Sequence, residues 1–386
     1  MIISQPIYEL YVMNRPFKQL DRKQDLIRHF TPNWFTVTMG TGVIALILAE
    51  FGTFSSLFWQ LGVGLWLFNT ALFVFFCVLY SLRWMLFPQE AKQIFSHPSM
   101  SLFLGAIPMA LATIINGCLK FGIEFNADVF IQVAQMLWYV DVLLAVGIAW
   151  VVPICMYSVQ KHALKDMSAL WLLPIVACEV AASSGGLLLH HIAMGQQAVG
   201  ILFGSYTLLG MSILPAFAIL TILMLRLALH QLLPKELAIS CWLALGPIGT
   251  GALALLVLGA EAPQVLATLA LQDLGVFFYH TGIFGSLILL GFGLWWWGIA
   301  VLNTLKHVKD LPFNLGWWGL TFPFGVFTLA FFNLAHQTHF VGLSHVAFGF
   351  ASILIMLWML VMSKTMQGFY QGHLFFSPCL KVYLDK

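Results

Sequence analysis

Residues 315–331 read LGWWGLTFPFGVFTLAF. The segment opens on aromatic residues, breaks at Pro323 and continues in small and aromatic residues. Four earlier segments are built alike: PNWFTVTMGTGVIAL at 32–46, SLFLGAIPMALATIING at 101–117, SALWLLPIVACEVAASSGG at 168–186 and ISCWLALGPIGTGALAL at 239–255. Each has an aromatic lead, a Pro or Gly break (Gly40, Pro108, Pro174, Pro247, Pro323) and then small residues. The spans between them are plainer, richer in Leu, Phe and Trp. The economical reading is five helix pairs repeating roughly every 70 residues. Proline removes a backbone donor and kinks a helix, and irregular backbone at membrane depth survives only inside protein or beside water. The five broken helices are therefore expected to face inward around an axis, with the five smooth ones toward lipid.

Composition sets the frame for that pattern. Of 386 residues, 61% are hydrophobic and 8% charged, against about 25% charged in a soluble domain. This excludes a soluble globular protein and a disordered chain. A formal charge of +2 implies no polyanion-binding surface, and nucleic acid is not an expected partner. The six cysteines lie far apart with no CxxC pair, so neither a zinc site nor a disulfide framework is offered. The fold class is an all-α polytopic membrane protein. Ten spans are expected at about 33–52, 57–82, 99–119, 128–158, 168–191, 197–225, 237–260, 275–303, 315–338 and 343–363. A polar arm at 1–32, without the apolar core of a signal peptide, precedes this 33–363 domain, and a tail at 364–386 follows it. Sixteen of the seventeen Lys and Arg fall in the arm, the tail and the even-numbered connections, Lys120 being the exception. The positive-inside rule puts both termini in the cytoplasm of an inner or plasma membrane.

Hydroxyls and small residues on the odd spans are the expected lining of a solute path: Thr36, Thr38, Gly40, Thr41, Gly42, Ser183, Ser184, Gly249 and Thr250, near the breaks at Pro108, Pro174, Pro247 and Pro323. The plainer reading is close packing of helices; strict alternation over five spans favours the inner ring. Asp141 and Glu179 are the only carboxylates deep in spans, which marks either a proton-linked function or a buried structural group. Glu179 sits on an odd span and is the candidate for proton coupling; Asp141, on an even span, is the candidate structural acid. No Lys or Arg lies at a span centre, which suits weak anion binding by partial charges. His336, His339 and His345 cluster at the outer end of spans 9 and 10 as a candidate outer vestibule, without the geometry expected of a metal site. A haem-binding membrane redox protein, the alternative from another class, would need facing histidines inside the bundle, and none lies near a span centre. Met39–Gly42 lacks the Lys-Ser/Thr ending of a phosphate loop. No cofactor and no catalytic residue is expected, and the chain is read as a non-enzyme.

Beyond these residue-level readings, His29-Phe-Thr-Pro-Asn-Trp-Phe35 with Met39-Gly-Thr-Gly42 resembles the start of fungal sulfite-efflux pumps and malate permeases. Leu173-Pro-Ile-Val176 with Ala181–Gly186, Leu245-Gly-Pro-Ile-Gly249 with Gly251, and Phe313–Gly325 extend the likeness from about His29 to about Lys364. These proteins form the tellurite-resistance/dicarboxylate transporter family, which includes the slow-type anion channels of plants. The resemblance implies five helical hairpins around a central pore, a homotrimer with one pore per subunit, and a small anion as substrate. Sulfite or bisulfite comes first, a C4-dicarboxylate such as malate second and bicarbonate third. It also implies a pore-occluding phenylalanine just before the break of the ninth helix, which falls on Phe322. The outer histidine cluster matches no motif of the family.

Overall fold

The computed structural model describes residues 17, 20, 22 and 24–384, apart from the side chains of 382 and 383. Most of the polar arm, with Arg15, Lys18 and Lys23, and the terminal Lys386 lie outside the described residues. The helices are α1 (Phe35–Glu50), α2 (Ser56–Leu86), α3 (Ala106–Gly117), α4 (Ile123–Ser158), α5 (Leu173–Leu189), α6 (Gln196–His230), α7 (Leu245–Ala267), α8 (Gln272–His307), α9 (Phe322–Thr338) and α10 (Val341–Gln371). Among the described residues nine helical stretches are long and apolar enough to cross a membrane. The third, Ser101–Ser158, holds two of the ten expected spans joined through a π-turn at Cys118–Gly122. Regular helix breaks at Asn126 (φ −162°, ψ 101°), whose side chain accepts from the Val129 N–H at 3.2 Å and starts the fourth span there.

Burial separates the two classes of helix. The apolar windows of the first, fifth, seventh and ninth spans are 72, 89, 94 and 83% buried, against 28, 33, 28 and 22% for the second, sixth, eighth and tenth. In α3, all but two of twelve residues are buried. The inner helices touch in the cyclic order α1, α3, α5, α7, α9 and back to α1, a closed five-membered ring. Each opens with a tight 3-10 lead-in: Pro32–Trp34, Ser101–Gly105, Ala169–Leu172, Lys235–Ala244 and Leu315–Leu320. The four proline breaks fall within the first three residues after these lead-ins, where the tight turn relaxes into α-helix, whereas Gly40 lies mid-helix in an unbroken α1.

Outer helices bury one narrow stripe each. On α2 it runs Gly62, Trp66, Asn69, Phe73, Phe76 and Arg83; on α4 it runs Ala134, Trp138, Asp141, Ala145, Val152 and Met156. This near-heptad spacing keeps one face toward a neighbouring helix. Indole N–H groups fix the register between spans. Trp66 donates to the Ile114 carbonyl of α3 (3.3 Å), Trp138 to the Ala181 carbonyl of α5 (2.8 Å) and Trp358 of α10 to the Thr41 hydroxyl of α1 (3.2 Å). Outer helices α2, α4 and α10 are thus pinned to the next inner helix round the ring, so each wedges between two inner helices. Where ring helices meet, small residues allow close approach: a Cβ on Gly249 would lie 2.5 Å from the Phe327 Cα.

Candidate functional site

At the centre of the ring is a constriction of about 10 Å³, at the lower limit for one water. Every inner span contributes to its wall: Met39 from α1, Met109 from α3, Leu173 and Val176 from α5, Leu243 and Gly246 around the start of α7, Phe322 and Pro323 from α9. The wall has no polar side chain. Of the phenylalanines on α9, only Phe322 borders this space. Phe324, Phe327 and Phe331 interlock with Phe350 of α10 at ring separations of 5.3, 6.0 and 5.6 Å, and Phe332 packs on Phe348 at 4.9 Å. Phe322 is placed by the turn before it: Thr321 donates to the Trp318 carbonyl and accepts the Gly325 N–H through its own carbonyl (2.8 Å).

Two vestibules flank the constriction. At the amino ends of the inner helices lies a cavity of about 500 Å³, which shares Met39, Leu173 and Leu243 with the constriction. Its polar groups include Asn33, Glu236, Ser240 and Asn314 at the lead-in turns and Thr36 in the first turn of α1. Residues 364–371, expected in a tail, continue α10 to Gln371; Gly372 then ends the helix in the left-handed region (φ +86°), where a Cβ is unfavourable. The following segment folds back so that His373, Leu374, Phe376 and Pro378 wall this vestibule. It is held by Phe375, stacked on Trp34 at 4.9 Å, and by the buried Arg83 guanidinium, which donates to the Phe30 carbonyl (2.7 Å) and the Ser377 hydroxyl (3.3 Å). Alongside, Arg28 forks onto Glu90 through two hydrogen bonds of 2.8 and 2.6 Å. Burial lowers the His29 pKa below its ordinary value.

At the opposite, carboxyl ends lies a second vestibule of about 310 Å³. Here each inner span brings a charged or titratable group: Glu50 from α1, Lys120 beyond α3, His190 and His191 beyond α5, Glu261 from α7 and His336 from α9. Lys120 lies 3.3 Å from Glu50, His336 3.5 Å from Glu50 and His190 3.0 Å from Glu261. Among the described residues, no group of three His, Cys, Asp or Glu side chains is arranged to hold a metal ion.

Several expected path residues lie elsewhere. The hydroxyls of Thr38, Ser183 and Thr250 donate to the carbonyls of Phe35, Val180 and Gly246 in their own helices, and Thr41 accepts from Trp358. Helical Ser and Thr find such acceptors one turn back, so these side chains serve the ring rather than line a cavity. Gly40 faces Thr321 and Trp318, and Gly42 faces Thr113 and Asn69; both are packing contacts. Pro108, Pro174 and Pro247 are buried beside the constriction residues Met109, Leu173 and Gly246. Ser184 is buried without a hydrogen bond. Glu179 lies on an inner helix but points outward, toward Ser212 of α6, with its Oε1 beside Gly251 of α7. Asp141 is buried between α4 and α5 with both oxygens unpartnered. Neither acid lines the constriction or either vestibule. Of the three clustered histidines, His336 reaches the carboxyl vestibule; His339 is the left-handed residue (φ 54°) that ends α9, and His345 is exposed on α10. Apart from Phe322 and Pro323, the constriction residues were not foreseen, yet most stand within one or two residues of a predicted break.

The register also explains the unpartnered Asp141. Trp66 and Trp138 make the same indole-to-carbonyl contact on α3 and α5, and three residues further on stand Asn69 and Asp141. Asn69 donates to Thr113, the residue before the Trp66 acceptor, at 3.4 Å. The residue before the Trp138 acceptor is Val180, which offers no polar group. Asp141 thus takes the Asn69 place in the repeat, opposite an apolar residue.

Comparison with known proteins agrees with this architecture. The family model described as SLAC1, voltage-dependent anion channel, matches residues 29–366. A sulfite efflux pump of Arthroderma otae is 34% identical over 88% of this chain and 90% of its own length. An uncharacterized transporter of Methanocaldococcus jannaschii is 29% identical over 92% of this chain and 98% of its own. The malic acid transport protein of Schizosaccharomyces pombe is 23% identical over 83% and 74%. With a match across nearly the whole closed ring, the chain belongs to the SLAC1 family of voltage-dependent anion channels.

Proposed function

We propose that the chain passes sulfite or bisulfite along the axis of the five-helix ring, with Phe322 as the gate. The gate assignment rests on one observation: among the α9 phenylalanines Phe322 alone borders the axial constriction, while the others are locked into packing with α10. A dry, apolar neck of this size excludes a hydrated ion, as hydrophobic constrictions do by dewetting. Sulfite stands ahead of malate because three of the pumps named for sulfite are 33–34% identical to this chain, with two more at 24%, against 23% for the malate transporter; bicarbonate is third. The distribution of Lys and Arg favours both termini, and with them the amino vestibule, on the cytoplasmic side of an inner or plasma membrane. In this reading the 33–363 domain is the pore, with one pore per subunit of a homotrimer, and transport proceeds without covalent chemistry. Asp141 and Glu179, which line neither the constriction nor either vestibule, stand off the anion path.

The test is flux into liposomes holding the purified protein, with sulfite, malate, bicarbonate and chloride offered in parallel. Sulfite flux well above the other three is expected. Malate flux alone would transfer the assignment to the dicarboxylate.

A further inference from the structure

The carboxyl vestibule carries chemistry that an apolar gate does not use. The parallel inner helices point their carboxyl ends toward it; α3 runs on through the π-turn at Cys118–Gly122, and the other four bring unsatisfied carbonyls and partial negative charge to this side. Such a mouth repels an anion unless cations offset it. Around the ring, the side chains at these ends run Glu50, Lys120, His190 with His191, Glu261 and His336. Three contacts bridge neighbouring helices: Glu50 to Lys120, His190 to Glu261, and His336 to Glu50. Counting the two carboxylates and the ammonium as charged, the vestibule carries one net negative charge while its histidines are neutral. With all three histidines protonated it carries two net positive charges. Glu124, in the adjoining recess shared by Glu50, Lys120 and His336, adds one constant negative charge and leaves the reversal of sign intact.

We infer that this ring is a proton-switched binding site for a small oxyanion, open to the anion only when the solution at the carboxyl mouth is acidic. Lys120 supplies the permanent charge, and the histidines, once protonated, offset Glu50 and Glu261 and supply the rest. The cavity of about 310 Å³ accommodates a small oxyanion with part of its water. Burial, and then the neighbouring His190, lower the His191 pKa below its ordinary value. The inference deepens the anion-path reading and rests on it for function, but binding is measurable without transport.

The probe is nitrate, which does not titrate across the histidine range. Thermal unfolding of the purified protein is followed against nitrate concentration at pH 5.5 and pH 8, with ionic strength held constant. The wild type is expected to bind nitrate about tenfold more tightly at the acid pH, since three added positive charges act inside a cavity partly shielded from water. In the triple variant His190→Gln, His191→Gln, His336→Gln the two affinities converge. The His190 and His336 side chains are 71 and 63% exposed, so folding does not depend on them, and the single variants give graded losses. Equal affinity at both pH values in the wild type, or an undiminished acid preference in the triple variant, would overturn the site. Nitrate flux through the Phe322→Ala protein is measured alongside. Absent flux with intact acid-dependent binding would count against the pore reading and leave the site standing.

Discussion

Replacing Phe322 with alanine tests the gate most directly. The neck encloses about 10 Å³; removing the benzyl group adds on the order of 100 Å³ if neighbours hold still. At about 30 Å³ of liquid volume per water, the widened neck admits roughly three waters where one scarcely fits. An anion crossing the wild-type neck must shed nearly all its hydration, at an effective cost of several kcal/mol. Restoring about 3 kcal/mol of that cost corresponds to roughly a hundredfold faster passage. The same substitution removes a buried phenylalanine and is expected to lower stability by about 3–5 kcal/mol, so flux must be normalised to folded, monodisperse protein. Phe324→Ala is the control: it deletes an equally buried ring that faces α10 rather than the axis. Anion flux into liposomes, read with an electrode or a tracer, should rise only in Phe322→Ala. A rise below threefold in folded protein, or an equal rise in Phe324→Ala, would refute the gate.

Other consequences are local. Asp141→Asn should preserve folding, flux and the pH dependence of flux, because asparagine already fills the equivalent place at Asn69; a flattened pH profile in that variant would make Asp141 a proton-linked group instead. Arg83→Gln should cost about 1.5–3 kcal/mol for each charged hydrogen bond lost at Phe30 and Ser377. It should also free the segment after Gly372, read as faster carboxypeptidase trimming; an unchanged digestion rate would mean that stacking on Trp34 alone holds the segment. Because burial lowers the His29 pKa, the folded state binds its proton later than the unfolded chain. The stabilising contribution is therefore intact above the ordinary value of 6.5 and is lost as pH falls from there toward the folded value. His29→Gln should make thermal stability less steep in that window, and an unaltered slope would place the acid sensitivity elsewhere.

The ring was legible because its cause is visible in the residues. Pro108, Pro174, Pro247 and Pro323 each stand beside a 3-10 lead-in on a buried helix, whereas Pro153 and Pro215 lie inside the exposed α4 and α6, so the break next to an aromatic lead, not proline alone, marks the ring. The rest of the neck was less legible because its lining stands beside the breaks rather than on them: Met109, Leu173 and Gly246 are each one residue away. Hydroxyls misled for a local reason. A helical Thr or Ser has a carbonyl within reach one turn back, and Thr38, Ser183 and Thr250 use it. Nearness in sequence also misled at the histidines. The tight α9–α10 hairpin sends His336 toward the axis and His345 onto an outer helix, while the true neighbours of His336 across the vestibule, Glu50 and Lys120, are hundreds of residues away in the chain. The Asp141 environment needed the indole register, since only the paired contacts of Trp66 and Trp138 show that Val180 stands opposite it.

The parallel course of the inner helices bears on why such a ring suits anions. Five amino ends converge on the larger vestibule; the carboxyl ends point toward the smaller one, where α3 alone continues through the π-turn. Each helix end carries about half an elementary charge, positive at the amino end, so the backbone alone favours an anion at the amino mouth and disfavours it at the carboxyl mouth. The amino vestibule is lined by one basic side chain, His373, and one carboxylate, Glu236, so any attraction for an anion there comes from the backbone. The carboxyl vestibule has the opposite requirement, and there Lys120, His190, His191 and His336 gather. With the amino mouth facing the cytoplasm, an anion would be drawn in by backbone and released past side chains. Entry is then fixed by the fold, whereas exit is open to adjustment by the few residues at the carboxyl rim.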